Sequence, residues 1–254
     1  MNKTSRRVIL ILSLCGLALT AGAVFAESWT AEDLAAALDN SDRSQQDKDR
    51  DAARKPAEVV AFIAIEPGMT VVDLMAAGGW YTEVLSIAAG PDGIVYSQNP
   101  ATMLKSRGGA SDKALTARLA DERLKNVVRK DGALGEIDIA PGSVDVAFTA
   151  LNFHDTYNFG GAEAAGAQLD AIYAILKPGG VLALIDHRGD PDKDNVKLHR
   201  LPKQVAIDLA TEAGFIVEAE SDVLAHPEDD RTKMVFGPIR GQTDRFLLKL
   251  RKPE

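Results

Sequence analysis

The sequence predicts an α/β fold, a mostly parallel sheet covered by helices on both faces, and three observations carry that expectation. Strand-like and helix-like apolar patterns alternate from Thr70 to about Leu209, the order expected of βα units in a buried parallel sheet. The first strand ends at an acid, Asp73, and the chain passes through Ala76-Ala77-Gly78-Gly79 before a helical pattern resumes. Small residues there let backbone N–H groups at a helix N-terminus approach a ligand. Finally, Phe215 to Ser221 and Arg245 to Arg251 read as strands with no helical pattern between them, so an antiparallel pair should close one edge.

Taken in order, residues 1–26 hold Lys3, Arg6 and Arg7, an apolar run from Val8, and Val24 and Ala26 at the small-residue positions before a cut. This is the pattern of a cleaved export signal, too short for a membrane helix of ~20 apolar residues, and it predicts a periplasmic destination. The pair Arg6-Arg7 before apolar residues also fits the twin-arginine pattern, so both export routes are open. Cys15, the only cysteine, lies inside that segment, and the mature chain must hold its fold without disulfides. Cleavage removes three basic residues and no acid, moving the formal charge from −8 to −11. An acidic chain without a basic cluster argues against nucleic acid as a partner.

Residues 27–57 form a charged arm with two helical pieces, the first opened by a Thr30/Asp33 capping box. The dense charge of Ser41 to Lys55 reads as a solvated face or linker. Pro56 starts a helix bearing Val59, Val60, Phe62 and Ile63. The domain from residue 58 to 254 then runs strand Thr70–Leu74, helix Tyr81–Ala89, strand Ile94–Gln98, helix Lys113–Leu124, strand Val127–Arg129 and strand Val144–Ala150. A helix near Ala164–Leu176, the turn Lys177-Pro178-Gly179-Gly180, strand Val181–Asp186 and a helix opened by Pro202 follow. His226 and the acidic Pro227-Glu228-Asp229-Asp230 read as solvated loop.

Asp73 through Tyr81, Asp131 after the third strand, Asp145 at the fourth, and Leu176-Lys177-Pro178-Gly179-Gly180 before the fifth occur in the order of class I S-adenosylmethionine-dependent methyltransferases, which the chain resembles from about Pro56 to Lys252. Within that superfamily it looks most like an exported bacterial group of predicted methyltransferases. The residues behind this narrower likeness are Arg54-Lys55-Pro56-Ala57-Glu58, Pro67-Gly68-Met69-Thr70, Asn152-Phe153-His154-Asp155-Thr156-Tyr157 and Thr243-Asp244-Arg245-Phe246.

The resemblance implies a Rossmann-like three-layer sandwich whose seven-stranded, mostly parallel sheet has an antiparallel edge strand. It also implies S-adenosyl-L-methionine as cofactor, lying across the carboxyl ends of the strands. Asp73, Ala76, Gly78 and Gly79 would meet its methionine part, Asn99 the ribose, Asp131 and Gly132 the adenine, and Asn152 with His154 the methyl-donating end. Arg50, Asp51, Arg54 and Lys55 match the lead-in of the related group and would fold over the cofactor as a lid. Two departures stand out. The family's acid-x-Gly-x-Gly-x-Gly turn appears as Asp73, Met75, Ala77 and Gly79, and Gln98-Asn99 replaces the usual ribose-binding acid. Alanine at 77 fits if its φ stays negative.

Methyl transfer to a hydroxyl or amine needs a base beside an aligned acceptor. Two of the four histidines follow strands at the expected cleft, His154 and His187, and Asp155 and Tyr157 extend a polar rim. His154 is the first candidate base or orienter and His187 the second. His199 and Arg200 read as surface or helix-capping residues. No close-spaced ligand motif supports a metal centre. The expected activity is methylation of a small molecule or an envelope component. The alternative is a non-catalytic nucleotide- or metabolite-binding module derived from a methyltransferase. A nicotinamide enzyme is disfavoured, since no Gly-x-Gly-x-x-Gly follows the first strand.

Overall fold

A computed structural model describes residues 28–254; the expected export segment lies outside them. Seven strands form one sheet in the order β3-β2-β1-β4-β5-β7-β6. They are β1 (Thr70–Leu74), β2 (Ile94–Asn99), β3 (Val127–Asp131), β4 (Val144–Ala150), β5 (Leu176–His187), β6 (Ile216–Ser221) and β7 (Arg245–Arg251). All pairs from β3 to β5 are parallel. β7 runs antiparallel to both β5 and β6, one place in from the edge. This is the expected Rossmann-like sandwich with its antiparallel closing pair.

Period-two alternation sorts the strand side chains into two cores. Val71, Val146, Phe148, Ile185 and Leu247 face one layer, formed with α1 (Ala31–Asp39), α4 (Pro56–Ile63) and α5 (Trp80–Ala89). Val72, Leu74, Ala147, Leu184 and Leu248 face the other, formed with α7 (Phe153–Ile175) and α9 (Lys203–Glu212). Between these helices lie the short α2 (Gln45–Lys48) and α3 (Asp51–Arg54), the long α6 (Ala101–Leu119) and the short α8 (Asn195–Leu198).

Several expectations are corrected. The helix expected at Lys113–Leu124 begins at Ala101, is interrupted by non-helical backbone at Ser106 to Gly109, and ends at Leu119. The helix expected near Ala164 begins at Phe153 and breaks at Gly161, whose φ is 74°. The Lys-Pro-Gly-Gly turn is drawn into β5, which starts at Leu176 and carries a register shift against β4. The arm holds three short helices, and part of its charge is buried while Asp42 and Asp49 stay exposed. Arg43 is buried in a two-point pair with Asp51 at 2.6 and 2.7 Å, Trp80 Nε1 donates to the Asp47 carbonyl at 3.0 Å, and Arg118 pairs with Asp47 at 2.9 Å. Charges spaced without helical period fold inward here because Asp51, later in the arm, and Arg118 of α6 supply their partners. Arg200, expected at the surface, is fully buried and bonded to Asp229 of the loop expected to be solvated.

Candidate functional site

The turn after β1 is the first element of the site. Met75 and Ala77 both have φ 51°, and Gly79 has φ 78°. The three left-handed positions are thus the three at which the resembled turn carries glycine, although two hold side chains. Ala77 does not have the negative φ that would have made it unremarkable. A side chain in this region costs about 1–2 kcal/mol, and the neighbouring strand supplies the compensation. Gln98 Oε1 accepts from the Met75 N–H at 3.0 Å, and Asn99 Oδ1 accepts from the Ala77 N–H at 2.7 Å. Asn99 Nδ2 donates back to the Ala77 carbonyl at 3.3 Å, and Asn152 Nδ2 donates to the Met75 carbonyl at 3.3 Å. Asn99 is fully buried by this duty and presents no free amide to a ribose. Asp131 and Gly132, expected at the adenine, are occupied as well. Arg129 Nε donates to both Asp131 carboxylate oxygens at 2.9 Å, and the Gly132 carbonyl accepts from Gln98 Nε2 at 2.7 Å. Ala77→Gly is expected to raise the unfolding free energy by about 0.5–1 kcal/mol in urea titration, against the usual sign for introducing glycine.

A cavity of about 800 Å³ opens over this turn at the carboxyl ends of the strands. Asp73, Met75, Ala76, Ala77 and Gly78 line it, together with Ala150 at the end of β4, Leu151 and Asn152 after it, and His187 at the end of β5. The arm contributes Asp47, Arg50 and Arg54. The loop from Ser221 to Arg245 adds Phe236, Arg240 and Thr243, and β7 adds Arg245. Of the expected cofactor residues, Asp73, Ala76, Gly78 and Asn152 line this space. Gly79, Asn99, Asp131 and Gly132 do not. Gly79 serves the turn instead: an added Cβ would come within 2.8 Å of Leu115.

Buried charge sets the electrostatics. Asp73 is 3% exposed, and burial raises its pKa to about 7, against the lowering effect of Thr82, whose Oγ1 donates to it at 2.6 Å, and of the Arg54 charge. Burial pushes the Tyr81 hydroxyl up to about 12. Arg54 lies over the rings of Trp80 and Tyr81, 4.7 and 5.6 Å from their centres, a cation–π arrangement. Burial and the neighbouring arginines Arg245 and Arg240 lower its pKa.

The histidines divide. His187 lines the cavity with Nδ1 2.9 Å from Thr243 Oγ1. Burial, then the charges of His154, Arg245, Arg200 and Arg54, hold it well below the usual imidazole value, so it is neutral at physiological pH. His154, Asp155 and Tyr157 are not brought to the cavity. α7 begins one residue before His154 and turns that ring inward, where Nδ1 lies 2.6 Å from the fully buried Asp186 carboxylate. Burial disfavours its charge, yet Asp186 and Asp155 overcome this and raise His154 to about 10. Asp155 Oδ1 sits 2.9 Å from His199 Nδ1 and 3.2 Å from His154 Nε2, the second contact lacking hydrogen-bond geometry. These three residues bring one potential metal-ligand atom each within 4.8 Å of one another, but their geometry is that of an imidazolium held between carboxylates.

Sequence reasoning gave no role to Arg240, Arg245, Trp80, Tyr81 or Gln98. Gln98 stood out only as a departure from the ribose-binding acid and Arg245 only within the Thr243–Phe246 likeness, while the Trp80-Tyr81 pair directly follows the glycine turn.

The chain matches no protein-family model and no curated protein. Solved structures do resemble it. An S-adenosylmethionine-dependent methyltransferase from Aquifex aeolicus is 20% identical, with 86% of this chain and 98% of that one aligned at a TM-score of 0.60. A structure described as a sarcosine dimethylglycine methyltransferase from Galdieria sulphuraria is 15% identical over 80% and 84% of the two chains at 0.55. The [4+2]-cyclase SpnF is 15% identical over 91% and 87% at 0.58. The fold is therefore the Rossmann-like fold of these enzymes. Because one of them is a cyclase, chemistry must be argued from the site.

Proposed function

We propose that this protein is an S-adenosylmethionine-dependent methyltransferase acting on a small molecule or envelope component. The observation that carries the reading is that Asp73, the left-handed turn and neutral His187 all line a single cavity. The cofactor fits the donor set: among the described residues only Thr82 bonds the buried Asp73 carboxylate, which lines the cavity, and this suits a ligand ammonium. Bound there, the cofactor supplies an activated methyl group on sulfur. The remaining work falls to the chain. Ala76, Gly78 and Asn152 shape the donor pocket, and Trp80 and the arm shield it from water. In the tautomer whose Nδ1–H donates to Thr243, His187 Nε2 carries the lone pair that takes the proton the acceptor hydroxyl or amine gives up.

Two measurements test this. Calorimetry should show S-adenosylhomocysteine binding to the purified protein, and no binding at about 1 mM would overturn the reading. His187→Gln should lower transfer of labelled methyl groups into an envelope extract by about 10²-fold or more, with product affinity nearly unchanged. An unchanged rate would remove His187 from the mechanism.

Export to the periplasm, through residues 1–26, belongs to the same proposal. It is supported by the basic, apolar and small-residue order of that segment, and fractionation with and without it is the test.

A further inference from the structure

The cavity collects positive charge in a chain whose formal net charge is −8. Arg50 and Arg54 enter from the arm, and Arg240 and Arg245 from the other end of the chain. Among the described residues, Arg50 alone of these four has a carboxylate within 4.0 Å. That acid, Asp47, is 3.5 Å away and already pairs with Arg118 at 2.9 Å. Arg245 is held by neutral groups, the carbonyls of Ala53 at 2.8 Å, Thr243 at 3.2 Å and Gly241 at 3.4 Å, and His226 Nε2 at 3.1 Å. Arg54 rests on aromatic rings.

Guanidiniums gathered in a half-enclosed space repel one another and are costly to desolvate unless an anion completes them. On the proposed methyl-transfer reading, the cofactor does not complete them. It brings one carboxylate together with an ammonium and a sulfonium, so its arrival makes the cavity more positive.

Resting on that reading, we propose that the methyl acceptor is an oxyanion-bearing small molecule, its carboxylate or phosphate held by Arg240, Arg245 and Arg50 with the accepting atom turned toward His187. Planar, multi-donor guanidiniums are suited to oxyanions. The acceptor nucleophile bonds to the methyl carbon, the carbon–sulfur bond breaks with its electron pair left on sulfur, and the nucleophile's proton passes to His187 Nε2. An oxyanion among these arginines also offsets the field that Arg245 and Arg54 exert on His187, so the base is strengthened when the acceptor is seated.

Calorimetry of the purified protein with inorganic phosphate and with acetate, each with and without saturating S-adenosylhomocysteine, tests the proposal. Phosphate or acetate should bind at about millimolar concentration in both conditions. Arg240→Gln, whose side chain makes no hydrogen bond among the described residues, and Arg50→Gln should each weaken that binding by about tenfold, with less than about threefold change for S-adenosylhomocysteine. No anion binding, or wild-type binding in both variants, overturns the anionic acceptor. Anion binding abolished by S-adenosylhomocysteine also overturns it, because the ions then occupy the cofactor's own carboxylate position. Anion binding without S-adenosylhomocysteine binding instead overturns methyl transfer and leaves the oxyanion site standing.

Discussion

Asp73→Asn is expected to weaken S-adenosylmethionine binding by about 30-fold at pH 7.5, since a buried charge-assisted contact is worth on the order of 2 kcal/mol. It should also abolish the pH dependence of that binding. In the free protein burial raises the Asp73 pKa to about 7, so below pH 7 the carboxyl must lose a proton before it can meet a cationic ammonium. The dissociation constant of the wild type should therefore rise as pH falls below 7, by up to about tenfold per unit, and level off about 30-fold weaker once the bound carboxyl also protonates. The variant should be weak and flat over the same range. Stability has its own sign. A carboxyl whose folded pKa lies above its unfolded value of 3.8 favours folding most below pH 3.8, and that advantage is lost as pH rises to about 7. Above pH 7 the wild type holds a destabilising buried charge, and Asp73→Asn should stabilise the ligand-free protein by on the order of 2 kcal/mol. Urea titration at pH 7.5 beside calorimetry from pH 5 to 7.5 reads both effects. A variant that loses stability along with affinity would show Asp73 to be a structural residue instead.

The same turn shows what the sequence could carry. Alternating apolar patterns located all seven strands, because burial on both sheet faces leaves little freedom in residue type. The antiparallel place of β7 followed from the missing helix between residues 221 and 245. Asp73 was legible because small residues follow it. Met75 and Ala77 misled, since glycine is the usual solution for positive φ and the second solution here, amide side chains from Gln98 and Asn99, belongs to another strand. Those amides read as a defect in ribose binding when they are the compensation for the turn.

The histidines were legible as a pair at strand ends, but their order was not. The first turn of α7 decides that His154 meets Asp186 and leaves His187 to face the cavity, and helix phase at a strand end is not encoded in local pattern. Least visible was the arginine cluster. Arg50 and Arg54 stand about two hundred residues from Arg240 and Arg245, and only the fold places the arm against the closing loop.

That closing loop depends on one buried side chain, and Arg200→Ala should cost about 3–5 kcal/mol, the usual consequence of stranding a buried partner charge. Arg200 is fully buried. Its Nη1 pairs with Asp229 at 2.9 Å and donates to the Arg188 carbonyl at 3.0 Å, and its Nη2 bonds Asp229 at 3.1 Å and the Lys233 carbonyl at 3.1 Å. Asp229 in turn accepts from the backbone N–H groups of Asp244 at 2.7 Å and Arg231 at 3.1 Å. The guanidinium thus holds Asp229 and Lys233 on the leading side of the loop that carries Phe236 and Arg240 to the cavity, and Asp229 ties that side to Asp244 at its far end. Replacing it with alanine leaves a buried carboxylate without its cation and takes the donors from two carbonyls, those of Arg188 and Lys233. Asp229→Asn should also destabilise, because it leaves Arg200 without its carboxylate and keeps one acceptor oxygen where Asp244 N–H and Arg231 N–H bond to different ones. The double variant Arg200→Ala/Asp229→Asn should recover about 1–2 kcal/mol of the sum, since the stranded charge is gone. Urea midpoints for the three variants test the pair, and strict additivity would mean that packing, not charge, is what Arg200 supplies. The ligand readouts follow from the same geometry. Arg240 reaches the cavity from this loop and Asp73 from β1, so loosening the loop should reduce phosphate affinity well before it reduces S-adenosylhomocysteine affinity.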